Sequence, residues 1–493
     1  MGKLIRLSAR VLLFFICIYL VLLIPDREKK PVIMDSPTRP FSWNKGQLWK
    51  KLENDFVQAK AMPPQVLGAA IRSKMHEAER IFLSIPTGSI PVTDNRLVEL
   101  ETVFFQLAPL VASEPESLNW YLAFYNRSRN LLKQLSRNWD MHELAARQTM
   151  YRLLYGMRAA TEEAILQAGE INLDPVLHVS DVYSPTPSTI MLGMKLHSGD
   201  ILVSRGAAPV SALIARGNDY PANFSHIALL YIDSVTGKSL LIESHIEKGV
   251  AISTPEEYLK DPKMRLMVLR PWYPQEAFKS DTMLPHKAAA MMLKVSSLRH
   301  IPYDFKMDFH DTTAMFCSEV ASYAYRLQGM HLWEPVSTIS SPGVVGWLQS
   351  FGVEHFVTQM PADLEYDPQL SVVAEWRNVK TLFSEHTDNA VLDAMLSLAN
   401  TGTSLHYNIW KLPLARTIKG YCMILNRFGK YGIIPEGMSA TRALKNESFE
   451  KWFERVKASV MKQSAAFMAN NKYRPPYWQL LRFSEEAVKS ITQ

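Results

Sequence analysis

Apolar residues recur three and four positions apart through 67–85, 97–110 and 118–135, and the pattern continues over 141–168. This periodicity predicts amphipathic helices packed as a bundle over about 41–184. The texture changes near Pro185. Short runs rich in β-branched and aromatic residues follow at 200–204, 226–232, 240–244, 250–253 and 265–269, separated by turn residues, and they predict strands. Ser234-Val235-Thr236-Gly237-Lys238 reads as a hairpin connection that makes 226–232 and 240–244 antiparallel neighbours. Thr254 followed by Pro255, Glu256 and Glu257 combines an N-cap, a proline at the first helical position and an acidic first turn, so a short helix starts there. Further helices are predicted at 286–298, at 314–327 with Thr312 or Thr313 as N-cap, and at 391–398 and 449–468.

These elements predict an α+β chain in five parts: a terminal targeting segment over 1–25, a proline-containing linker over 26–40, a helical region over 41–184, a β-rich catalytic region over 185–360, and a helical extension over 361–493. In the first part Lys3, Arg6 and Arg10 precede an unbroken apolar run over 11–24. Fourteen helical residues span roughly 21 Å, short of a ~30 Å hydrocarbon core and the length of a secretory signal. No small-x-small cleavage site follows, and residues 7–9 extend the helix. The reading favoured is an uncleaved transmembrane anchor, with cleavage as the alternative; the basic flank places the remaining chain outside the cytoplasm, on the periplasmic side of a bacterial inner membrane. Cys17 lies inside the run as a lipid-facing residue.

Composition narrows the function. Lys and Arg number 54 against 48 Asp and Glu, a net +6 spread over 493 residues, which does not suggest a dedicated nucleic-acid binder. Three cysteines exclude a disulfide scaffold and an all-protein four-thiolate metal site, and leave open whether Cys317 and Cys422 pair or one is a working thiol. There is no Walker A sequence, Gly-x-Gly-x-x-Gly or His-Glu-x-x-His. Asp304, Asp308, His310 and Asp311 match no metal-loop spacing, and no cofactor is expected. Asn-x-Ser sequons at Asn126, Asn223 and Asn446 are chance-level signals; a glycan at Asn223 would obstruct His226, which mildly favours a bacterial envelope.

The chemistry concentrates in Phe316-Cys317-Ser318-Glu319, near the start of a predicted helix, where unpaired N–H groups and the helix dipole favour a thiolate. A thiolate nucleophile needs a base, and His226 opens an apolar strand. Glu243 ends the next strand, which the hairpin sets beside His226, and it is the acid that orients the imidazole. Tyr303 precedes the nucleophile helix and is a candidate oxyanion or substrate donor; Glu319 is read as structural.

The order Gly199-Asp200-Ile201-Leu202, Ser225-His226-Ile227, Ile242-Glu243, Pro302-Tyr303-Asp304, Phe316-Cys317-Ser318-Glu319 resembles the permuted papain-like cysteine hydrolases of the YiiX/YebB-like branch of the NlpC superfamily. The resemblance covers roughly 196–353. It implies a papain-like core whose order is circularly permuted, with Cys317 as nucleophile, His226 as base and Glu243 as third member. The function expected is a membrane-anchored cysteine hydrolase cleaving an amide or peptide bond of an envelope substrate. The alternatives are a lipid acyl hydrolase or acyltransferase of the lecithin:retinol acyltransferase type, and a catalytically silent scaffold. The partners expected are that substrate and the membrane, with no nucleic acid.

Overall fold

The computed structural model describes residues 2–26, 47–169, 173–273, 276–333 and 337–492. The expected linker over 26–40 lies outside them except for Asp26.

Six helices come first: α1 (Gly2–Leu22), α2 (Gln47–Lys60), α3 (Pro64–Ser84), α4 (Asn95–Ser113), α5 (Leu118–Leu135) and α6 (Leu144–Gln167). The middle holds β1 (Val176–His178), β2 (Ser188–Met191), β3 (Met194–His197), β4 (Ile201–Gly206), α7 (Pro209–Arg216), β5 (His226–Ile232), β6 (Ser239–His245), β7 (Gly249–Ser253), α8 (Pro255–Lys260), β8 (Lys263–Pro271), α9 (Glu276–Ser280), α10 (Leu284–Leu298) and α11 (Cys317–Arg326). Then follow β9 (Ser337–Thr338), α12 (Pro342–Phe351), β10 (Val357–Thr358), α13 (Asp363–Tyr366), β11 (Leu370–Arg377), α14 (Val379–Ala399), α15 (Leu412–Arg427), α16 (Ala440–Asn471) and α17 (Tyr477–Thr492). The chain is thus mixed helix and antiparallel sheet, an α+β protein.

The central sheet has seven strands in the order β1-β11-β8-β4-β5-β6-β7, with every neighbouring pair antiparallel. Strand alternation divides its side chains between two cores. Ile227 and Leu229 join the large core shared with the N-terminal helices, α10 and α11, whereas Ala228, Leu230 and Ile232 join a smaller core with β3 and α8. Thr254 caps α8 as expected: its hydroxyl accepts the Glu257 N–H, and the Glu257 carboxylate accepts the Thr254 N–H in return.

The sheet also crosses both expected boundaries of the catalytic region. β1 lies within the stretch read as helical bundle and β11 within the stretch read as helical tail. The helices flanking the sheet are tied to it by buried ion pairs. Arg129 of α5 meets Glu375 of β11 at 2.6 Å, and Arg265 of β8 meets Glu162 of α6 at 2.7 Å and Glu385 of α14 at 2.8 Å, all with side chains at most 1% exposed. Removing one partner of such a pair costs about 3–5 kcal/mol, because the other charge is left buried.

The N-terminal reading needs correction. Among the described residues no helix is long and apolar enough to cross a membrane. The expected transmembrane anchor, and the inner-membrane, periplasmic location argued from it, fall with that finding. α1 spends its first half on Lys3, Arg6 and Arg10, and the apolar run behind them is too short to compensate. α1 instead runs against α15; the Tyr19 hydroxyl donates to the carbonyl of Trp410, just before α15, at 3.4 Å, and Arg416 of α15 donates to the carbonyl of Ile24, just past α1, at 2.5 Å.

Candidate functional site

Residues far apart in the chain meet at one end of β5 and β6. The register pairs Ala228 with Glu243, so on a pleated strand Glu243 shares a face with His226, one step along the ladder. Their side chains join: His226 Nε2 donates to Glu243 Oε2 at 2.7 Å. Glu243 is 1% exposed, and Ser253 Oγ of β7 donates to its other oxygen at 3.1 Å.

Cys317 is the first residue of α11, one turn closer to the helix start than the pattern over 314–327 predicts. The correction has a local cause. Met315 is held in a bridge with Tyr303, donating its N–H to the Pro302 carbonyl at 3.0 Å while its own carbonyl accepts from Asp304, so the backbone stays extended until Phe316. Neither Thr312 nor Thr313 caps the helix. The capping group is Glu319, whose carboxyl accepts the Phe316 N–H at 2.9 Å. Burial, with Asp304 nearby, pushes the Glu319 carboxyl up to about 9, so near neutrality it is an uncharged cap beside Cys317 rather than a rival anion or half of a salt bridge.

Cys317 is 4% exposed, its Sγ 3.8 Å from the Ser225 carbonyl oxygen and near enough to His226 to act on the imidazole electrostatically. With Nε2 committed to Glu243, Nδ1 is the imidazole nitrogen left to take up a proton. Burial of the ring opposes its protonation, but the contacts to Cys317 and Glu243 outweigh burial and raise the His226 imidazole to about 9. Burial likewise works against the Glu243 carboxylate, yet bonds from His226 and His245 hold it well below the usual carboxylate range. The electrostatics favour a carboxylate-imidazolium pair near neutral pH.

His245 escaped the sequence reading. Its Nε2 lies 3.0 Å from Glu243 Oε1, and its ring centroid is 5.7 Å from that of His226. The signal was available in the alternation of β6, since His245 is two residues past Glu243 and therefore on the same face. Ser253 carried no comparable signal, because its role depends on the pairing of β7 with β6.

Tyr303 is half-buried next to this group. Burial and the proximity of Cys317 and Asp304 drive its phenol well above the ordinary range, so it remains an O–H donor. Its loop closes tightly on β7: Val250 N–H donates to the Ile301 carbonyl at 2.8 Å, and a Cβ on Gly249, which has φ +69°, would sit 2.1 Å from that oxygen. Tyr303 also lines a cavity of about 400 Å³ whose other walls include Leu213, Ile246, Phe305, Leu348, Phe351 and Ile433.

Asp304 and Asp311 are not assembled around an ion. Asp304 accepts the N–H groups of Lys306 and Asp308, and Asp311 that of Thr313. Among the described residues no group of three or more His, Cys, Asp or Glu side chains is arranged to hold a metal ion. All three cysteines are free, so Cys317 and Cys422 do not pair.

At the helix start, the Cys317 N–H occupies a first-turn position with no intrahelical acceptor, whereas the Phe316 N–H is consumed by Glu319. The former remains as a candidate backbone oxyanion donor at this turn. Comparison with known protein families, with curated proteins and with solved structures returns no match.

Proposed function

We propose that the chain is a cysteine hydrolase that cleaves an amide or peptide bond through an acyl-enzyme, with Cys317 as nucleophile, His226 as base and Glu243 as the group orienting the imidazole. The observation that carries the reading is the 2.7 Å bond from His226 Nε2 to a buried Glu243, which leaves the other ring nitrogen uncommitted close to a thiol at a helix start. The chain order His, Glu, Cys is the order of the permuted papain-like hydrolases, and a papain-like core is part of this proposal.

His226 takes the thiol proton, leaving a thiolate and an imidazolium stabilised by Glu243. The sulfur attacks the substrate carbonyl carbon, and charge gathers on its oxygen beside the Cys317 N–H, with the Tyr303 hydroxyl as a second candidate donor. The C–N bond then breaks, the imidazolium proton passes to the departing amine, and a thioester remains. Water, deprotonated by His226, attacks the thioester, and the proton returns to sulfur as the acid departs. Glu319, kept neutral by burial, caps the helix without adding a negative charge that would oppose the thiolate.

A second reading, hydrolysis or transfer of a lipid acyl group, draws on one observation: the cavity beginning at Tyr303 is walled largely by aliphatic and aromatic side chains. A paired assay tests both. Fluorogenic amide and long-chain ester probes are supplied to wild type, Cys317→Ala and Cys422→Ala, and the acyl-enzyme is trapped by acid quench, located by peptide mass spectrometry and identified as a thioester by its release with hydroxylamine. Turnover and trapping at Cys317, lost in Cys317→Ala and kept in Cys422→Ala, support the mechanism, and the faster probe selects between the readings. Turnover that survives Cys317→Ala contradicts both.

A further inference from the structure

Helix α15 has two apolar faces, and the protein uses one. Leu412, Ala415 and Cys422 point inward and are buried. Leu414, Tyr421, Ile424 and Phe428, spaced seven, three and four residues apart, form a second stripe that is exposed. The stripe continues at both ends, with Trp410 at 67% exposure before the helix and Ile433 at 83% after it. Folding alone gives no reason for this many large apolar groups in water along one line.

Charge indicates what covers them. Residues 409–435 contain Lys411, Arg416, Lys419, Arg427 and Lys430 and no Asp or Glu, in a chain whose overall totals are nearly balanced. Lys411 and Arg416 are paired with Glu447 and Asp26, and Lys419 donates to the carbonyls of Pro435 and Glu436, while Arg427 and Lys430 are exposed. An apolar stripe bordered by aromatic rings and exposed cations matches the interfacial zone of an anionic bilayer, where rings sit at headgroup depth and cations meet phosphates. A second copy of the chain fits less well, since a two-fold contact would bring these cations together. At 16 residues α15 is about 24 Å long, which suits a helix lying in the surface plane and crossing nothing.

We infer that α15 and the loop after it form a docking surface for an anionic lipid bilayer. Because Ile433 belongs both to this surface and to the wall of the Tyr303 cavity, docking turns the mouth of that cavity toward lipid. This last consequence, unlike the docking itself, rests on the catalytic reading above.

The test is flotation of the full-length protein with vesicles of phosphatidylcholine alone or mixed with phosphatidylglycerol. Wild type is expected to float with the mixed vesicles and to be released by raised salt. Leu414→Glu/Phe428→Glu/Ile433→Glu, with circular dichroism and melting temperature unchanged, is expected to bind about tenfold more weakly, and Arg427→Glu/Lys430→Glu to lose the preference for anionic vesicles. Cys317→Ser is expected to float as wild type does, so a failed catalytic reading leaves this result intact. Three results overturn the proposal: no flotation of wild type, undiminished flotation of the triple variant, or a concentration-dependent dimer whose formation shields Phe428 and abolishes flotation.

Discussion

Cys317 and Cys422 are both buried thiols on helices, 4% and 1% exposed, and their surroundings differ in the two respects that govern thiol chemistry. Cys317 stands at the first position of α11, with backbone donors around it and the His226 imidazole near enough to feel it electrostatically. Cys422 sits in the middle of α15, where every N–H already has its helical acceptor, among Ile434, Met438 and Ile418. The chain even closes over it, since a Cβ on Gly432 would lie 2.3 Å from its sulfur. Burial is therefore not what distinguishes a nucleophile from a core residue. Position on the helix and a proton acceptor at hand do.

The contrast can be broken most severely at the centre. Cys317→Ala and His226→Ala are each expected to lower kcat/KM on the probe that wild type turns over by about 10³-fold or more, and a double variant is expected to lose little beyond either single one, because the two groups act as a unit. Steady-state rates of the three proteins check this. Glu243→Gln keeps the shape but not the charge; a loss of about 10²-fold is expected, and the alkaline limb of the pH–rate profile is expected to move down from about 9, because the imidazolium loses its partner. His245→Gln acts only through Glu243, so a loss of about 2- to 10-fold is expected, with a smaller shift of the same limb.

Stability offers a pH-dependent check. His226 is raised above its ordinary value, so its contribution is fully present below about pH 6.5 and is lost as pH rises through about 9. Glu319 is raised as well, and its contribution is fully present below about pH 4.5 and is lost progressively up to about 9. Glu243 is depressed, so its contribution is present above about pH 4.5 and is lost in acid. Melting temperature against pH is expected to fall on the alkaline side, and Glu319→Gln, which cannot ionise, is expected to flatten that fall between about pH 5 and 9. The smallest effect is expected from Cys422→Ala: unchanged kinetics and a stability loss of about 1–2 kcal/mol in denaturant titration, from a sulfur-sized void under Gly432.

Much of the site was legible because its parts are local. The apolar alternation after His226 marks β5 from its first residue, and the turn over 234–238 sets β6 antiparallel to it, which is enough to bring Glu243 to the imidazole. The start of α11 was not legible, because Thr312 and Thr313 look like caps until the Tyr303–Met315 bridge, an interaction across a loop, holds the backbone extended past them. β1 and β11 went unseen for a similar reason: β1 has three residues and pairs with β11 nearly two hundred positions away, and β11 pairs in turn with β8 about one hundred positions back. The run over 11–24 has the composition of a membrane segment, but not the length. Composition also concealed α15, whose outward stripe and inward stripe blend into one apolar stretch when read along the chain.

The most direct measurement is the rate of iodoacetamide modification at Cys317 relative to Cys422 near neutral pH, followed by peptide mass spectrometry in wild type and in His226→Ala. The account predicts that Cys317 is modified about 10²-fold faster and that His226→Ala erases most of the difference. Equal rates at the two cysteines in wild type, or an advantage at Cys317 that survives His226→Ala, would contradict it.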